Sequence, residues 1–63
     1  MAFQYKVEDG KHWCTCKICK YLTPKTDNID SAMKNYGHHL LINHPEEKGT
    51  IKDIADMFGP IYL

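Results

Sequence analysis

Two cysteines separated by two residues, Cys16 and Cys19, precede two histidines separated by four, His39 and His44. Thiolate and imidazole in these numbers are the donor set of a tetrahedral zinc site, and a short Cys-x-x-Cys loop lets both sulfurs reach one ion at roughly 2.3 Å. Four protein ligands fill the coordination sphere, so the chemistry is structural rather than catalytic. Among the other candidates, Cys14 would lengthen the knuckle from two intervening residues to four and is assigned to the strand as a small apolar residue. His12 is read as a surface histidine. His38 lies six positions from His44 and is assigned to the exposed side. There is no His-Glu-x-x-His arrangement and no nucleophile–base motif, so no enzymatic role is expected.

Chain length explains why a metal is needed. A domain of 63 residues buries only about 60% of its unfolded surface, and such scaffolds rely on disulfides or a metal. Three cysteines exclude a fully paired disulfide framework within one chain, which with four histidines favours a metal and a reducing, intracellular setting. The amino-terminal residues form no apolar signal segment, and no stretch approaches the roughly 20 apolar residues of a membrane helix. The expectation is a soluble protein without a membrane partner. Formal net charge is zero, but the segment from Lys11 to His44 carries an excess of +3 and the segment from Pro45 onward −2. The eight basic residues are all lysines, so any phosphate or guanine contact must come from lysine, histidine or amides.

The elements that would position the ligands follow from patterning. Phe3, Tyr5 and Val7 alternate with polar residues as in a half-buried strand, and Asp9-Gly10 is a hairpin turn signal. His12 to Cys16 read as the second strand, leading into the knuckle; Phe3, Tyr5 and Trp13 are assigned to packing in preference to stacking on bases. Tyr21-Leu22 extend briefly, and Thr23 to Asn28 form a loop by composition. A helix is predicted from about Ser31 to Asn43, capped by Asp30 or Ser31, with Met33, Tyr36, Leu40 and His44 on the face that packs on the hairpin. Gly37 within it costs roughly 1 kcal/mol relative to alanine. Pro45 ends it. Histidines five positions apart diverge by about 140° on an ideal helix, so the last turn must leave regular α geometry, with tightening to a 3₁₀ turn the expected route. Farther on, Thr50 with Asp53 resembles a capping box, Ile51, Ile54, Ala55 and Phe58 recur at helical spacing, and Gly59-Pro60 stop the run. So short a helix is unstable alone and must dock, either on this domain or on a partner or second copy through Ile51, Ile54 and Phe58.

The expected architecture is thus a small zinc-stabilised α+β domain over residues 1–63, a ββα core at about 5–47 with an additional helix at about 50–59. The stretch from Tyr5 to Glu47 resembles BED-type zinc fingers. An aromatic-bearing strand, the turn Asp9-Gly10-Lys11 and Cys16-x-x-Cys19-Lys20 match the family's opening, and His39-Leu40-x-x-x-His44-Pro45-Glu46-Glu47 matches its His-Leu-x-x-x-His-Pro ending. It is also similar to other Cys2His2 fingers, including small free-standing ones of archaea and their viruses. The resemblance implies a helix in the major groove of double-stranded DNA, with Ala32, Asn35 and His38 at base-reading positions and Lys34 beside them. Asn35 suits adenine, Ala32 a thymine methyl and His38 guanine, while Lys11, Lys17, Lys20 and Lys34 would hold phosphates. The function so implied is DNA binding in transcription, chromatin or viral regulation, in the nucleus of a eukaryote or the host cytoplasm of an archaeal virus. The alternative is a zinc-stabilised protein-interaction module whose contact element is the carboxy-terminal helix.

Overall fold

The computed structural model describes residues 3–61, with the side chains of 4–61. The packing expected of Phe3 therefore lies outside the described side chains. Strand β1 (Phe3–Glu8) and strand β2 (Lys11–Cys16) form an antiparallel hairpin in the register Phe3↔Cys16 through Glu8↔Lys11. Its two-residue turn is Asp9-Gly10, with φ of 52° and 76°. Both residues are left-handed, the conformation that matches the twist of a tight hairpin and that Asp-Gly adopts readily.

The segment read as a loop does more than connect. Residues 21–26 run antiparallel along the free edge of β2, with isolated bridges Thr15↔Leu22 and His12↔Thr26. The amide of Cys16 donates to Tyr21 O at 2.8 Å, that of Thr23 to Cys14 O at 2.9 Å, and those of His12 and Thr26 to each other's carbonyls at 2.8 Å. Buried Thr23 also accepts the Cys14 amide through Oγ1 at 2.9 Å. Strand β2 is thereby paired on both edges. Pro24 and the polar run Thr26-Asp27-Asn28 hide this in the sequence, because the bridges need only single well-placed amides.

Helix α1 (Ile29–Asn43) begins two residues before the predicted start. Asn28, not Asp30 or Ser31, is its cap: Asn28 Oδ1 accepts from the Ser31 amide at 2.8 Å. Ala32, Met33, Tyr36, His39 and Leu40 are buried, and the helix packs on β2 over Cys14 and Cys16. Helix α2 (Lys48–Phe58) also starts early, at an N-cap Glu47 that makes no side-chain capping bond. The Thr50–Asp53 capping box does not form, since both lie inside the helix. Its end is as expected: Gly59 has φ 99° and its amide donates to Ala55 O at 2.9 Å.

The apolar stripe of α2 docks on the same chain. Ile54 is 2% exposed, and Ile51, Phe58 and Ile61 pack against the core. Gly37 makes room for the chain just after α2: a Cβ there would lie 2.4 Å from Ile61 Cδ1, while Ile54 Cγ2 of α2 would be at an ordinary contact distance of 3.4 Å. Of the residues named for an intermolecular contact, Ile54 is therefore committed to the intramolecular core. No helix among the described residues is long and apolar enough to cross a membrane.

Candidate metal centre

Cys16 closes β2 with its side chain on the same inward face as Cys14, because alternate strand residues share a face. After it the chain folds back: the Lys20 amide donates to Cys16 O at 2.8 Å and Lys20 is left-handed, φ 65°. This reversal carries Cys19 over the carboxy-terminal half of α1, where His39 projects from the buried face. His44 arrives differently. It is the C-cap residue, with φ −138° and ψ 60°, while its amide still donates to Leu40 O at 2.8 Å. The helix does not tighten into a 3₁₀ turn. The cap residue's own non-helical backbone swings the second imidazole round, and Pro45 follows.

The donor atoms of Cys16, Cys19, His39 and His44 all lie within 4.8 Å of one another, so these four residues are positioned to hold a metal ion. Cys19 Sγ is 3.3 Å from His39 Nε2, close to the roughly 3.5 Å edge expected for sulfur and nitrogen in a tetrahedron with bonds of 2.3 and 2.1 Å. His44 Nε2 supplies an independent test of fit. It is buried and has no hydrogen-bond partner, an arrangement that costs free energy unless a ligand completes it.

Neighbours aim the ligands. His39 stacks on Tyr21 with centroids 4.3 Å apart and planes 13° from parallel. The Asn43 side-chain amide sits 3.2 Å from His39 Nδ1 and donates to His39 O at 3.2 Å. His44 Nδ1 faces Glu46 Oε2 at 3.8 Å, which leaves Nε2 for the metal. Such outer partners fix ring orientation and tautomer. Tyr21, Asn43 and Glu46 were not singled out as supports from sequence. Only Glu46, next to the His-Pro pair, carried a readable signal; Tyr21 and Asn43 acquire their roles through the fold.

The thiols divide sharply. Burial alone would raise Cys16, but the amides of Cys19 and Ile18 and the Tyr36 hydroxyl, 3.8 Å from Sγ, outweigh it and lower its pKa. Burial raises Cys14 to about 11. Its sulfur contacts Met33 Sδ at 3.6 Å and Ala32 O at 3.9 Å, away from the ligand group. Burial, and secondarily His44, hold His39 below the usual histidine range. A readily ionised thiol and a neutral imidazole are the forms that ligate metals.

The residues proposed for DNA contact are not equivalent. Ala32 is fully buried under the hairpin and cannot meet a thymine methyl. His38 is half-buried rather than on the exposed side, and with Asn35 it lines a shallow cleft of about 590 Å³ shared with Cys19, Tyr21, His39, Ile42 and Asn43. Lys34 is exposed, its ammonium end lying near Gly59 at the end of α2. Lys17 and Lys20 are exposed on the knuckle. Lys11 is tied to Asp27, whose carboxyl it holds below its ordinary range. His12 lies outside the ligand group, with Nδ1 hydrogen-bonded to the Tyr5 hydroxyl. Comparison of the chain with known protein families, characterised proteins and solved structures finds no match.

Proposed function

We propose that the protein is a zinc-stabilised DNA-binding module. The ion is Zn²⁺, the metal that best suits two thiolates and two imidazoles in a tetrahedron. Cys16 and Cys19 hold it from the knuckle, His39 and His44 from the end of α1, and its work is to fix the helix on the hairpin. Kinship with BED-type fingers belongs to the same proposal and rests on the His39-Leu40 and His44-Pro45-Glu46-Glu47 ending.

The observation that supports DNA binding is the cleft beside the metal centre. It is lined by Asn35 and His38 from α1 and by Cys19 and Tyr21 from the knuckle. Lys20 falls between these last two, and Lys17 and Lys34 are exposed. Asn35 and His38 would read base edges in the major groove while Lys17, Lys20 and Lys34 hold phosphates. Electrophoretic shift of duplex DNA by zinc-loaded protein tests the reading. Binding should weaken steeply with salt, and Lys17→Ala with Lys20→Ala should lower the log–log salt slope by about 1.8, at roughly 0.9 per phosphate contact. Failure to shift any duplex at low salt refutes it.

One observation favours the alternative, a zinc-stabilised protein-interaction module. An apolar cleft of about 350 Å³ runs between β1, α1 and α2, and exposed Tyr5, Ile29 and Met57 are among its lining residues. Loss of a protein partner in Met57→Glu, with DNA ignored by folded wild type, would decide for this reading. Met57 is exposed enough that its replacement leaves the core intact.

A further inference from the structure

Trp13 points away from the core. Cys14 and Cys16 fill the inward face of β2, so Lys11, Trp13 and Thr15 occupy the outer one. Residues directly opposite share a face, which adds Lys6 across from Trp13, and Gln4 and Glu8 on either side of it. On the other edge of β2 the His12↔Thr26 bridge places Lys25 beside Trp13, with Nζ 4.7 Å from the ring centroid. A half-buried indole thus sits between two lysines on the sheet face turned away from α1. Of the acids near the turn end, Asp27 is bound by Lys11, and Glu8 stands opposite Lys11 in the register. Among the described residues neither Lys6 nor Lys25 has a carboxylate partner.

We propose that this outer sheet face binds single-stranded nucleic acid, with an unpaired base stacked on Trp13 and the adjoining phosphates held by Lys6 and Lys25. An aromatic face flanked by cations matches the two things a single strand offers, a free base face and a charged backbone. A duplex keeps its base faces stacked inside and presents only phosphates, so it leaves the indole without a partner. The Lys25 ammonium over the ring is a weaker contact than base–aromatic stacking, and its flexible stem lets it move to a phosphate when a base arrives. The surface lies on the opposite side of the hairpin from Asn35 and His38, so it stands independently of the helix-face reading.

Trp13 is the only tryptophan in the chain, so its emission reports this surface alone. Titration of zinc-loaded protein with an oligothymidylate, which cannot pair with itself, should quench that emission in a salt-dependent manner. Lys6→Ala with Lys25→Ala, both surface changes, should weaken binding about tenfold at low salt and lower the log–log slope by about 1.4, at roughly 0.7 per contact on single strands. Lys34→Ala should leave the quenching unchanged. Emission unaltered by the oligonucleotide at low salt, quenching that survives loss of both lysines, or equal quenching by a blunt duplex would each overturn the proposal. A duplex shift that depends on Lys34, with Trp13 emission constant under oligothymidylate as well as under duplex, would uphold the helix-face reading and overturn this one.

Discussion

Helix α1 is fastened at two places by different means. Its carboxy-terminal turn meets the knuckle through four donor atoms gathered within 4.8 Å, whereas its middle meets α2 through surface fit, with Gly37 against Ile54 and Ile61. The first contact is directional and local: a few atoms of the right element decide it. The second is spread over many weak contacts, with Ile61 seated in the space that Gly37 leaves open. Strand β2 shows the same division two residues apart, since Cys16 belongs to the ligand group while Cys14 packs on Met33 as an apolar residue. With an ion bound as proposed, a domain this small would use bonding where its core is thin, and it uses packing where two helices supply enough area.

Removing the metal tests the bonded side and should have the largest effect. Structural zinc contributes on the order of 10–16 kcal/mol in finger peptides at neutral pH, as much as the whole stability of an ordinary domain, about 5–15 kcal/mol. A chelator, or Cys19→Ser, should therefore abolish the cooperative fold, as followed by far-ultraviolet circular dichroism. A metal-free protein that still melts cooperatively would mean the packed side suffices. The reciprocal change is Ile54→Ala. It should cost about 2–5 kcal/mol through lost burial and a cavity and loosen α2, while the visible spectrum of Co²⁺-substituted protein keeps its tetrahedral form. Loss of that spectrum would mean that the two fastenings are one cooperative unit.

Alkaline pH separates the two cysteines. The folded Cys14 thiol has a pKa of about 11 against an ordinary value of 9.0. Above pH 9 the unfolded thiol loses its proton while the folded one keeps it, so the unfolded state binds fewer protons and stability falls as pH rises towards 11. The loss should reach about 2–3 kcal/mol, at roughly 1.4 kcal/mol per unit. Denaturant midpoints measured in Cys14→Ala should lack this part of the alkaline slope. An unchanged slope would place the titrating group elsewhere, with Tyr36, also raised by burial, next in line.

The bonded side was legible because ligand chemistry is carried by residue type and spacing. Cys16 and Cys19 are the thiols at knuckle spacing, His39 rather than His38 follows Tyr36 by one turn, and Pro45 marks the helix end that His44 needs. The manner of His44's approach was not legible, because a cap residue's dihedrals leave no trace in periodicity. The packed side was half legible. The stripe Ile51, Ile54, Phe58 announces a face to bury, but nothing in it says that the surface receiving it is centred on Gly37. Trp13 was assigned to packing because an aromatic in a strand usually is core; its outward direction depends on which strand face meets the helix, and Cys14 and Cys16 decide that. Ala32 failed as a base contact for a related reason: the helix begins at Ile29 and its first turn is already under the hairpin.

Gly37 offers the finest test of the comparison, because two opposed effects of similar size meet at one atom. Alanine there should gain roughly 1 kcal/mol of helix propensity over glycine. Its Cβ would also stand 2.4 Å from Ile61 Cδ1, the far end of a side chain that can rotate away at the loss of its own packing. Gly37→Ala alone should thus leave the melting temperature nearly unchanged while the Ile61 methyl resonances shift. In an Ile61→Ala background the clash is gone, and the same substitution should stabilise by about 1 kcal/mol. The difference between the two measurements is the coupling between residues 37 and 61. If Gly37→Ala stabilises equally in both backgrounds, Ile61 does not press on the helix and the close approach of α2 rests on Ile54 alone.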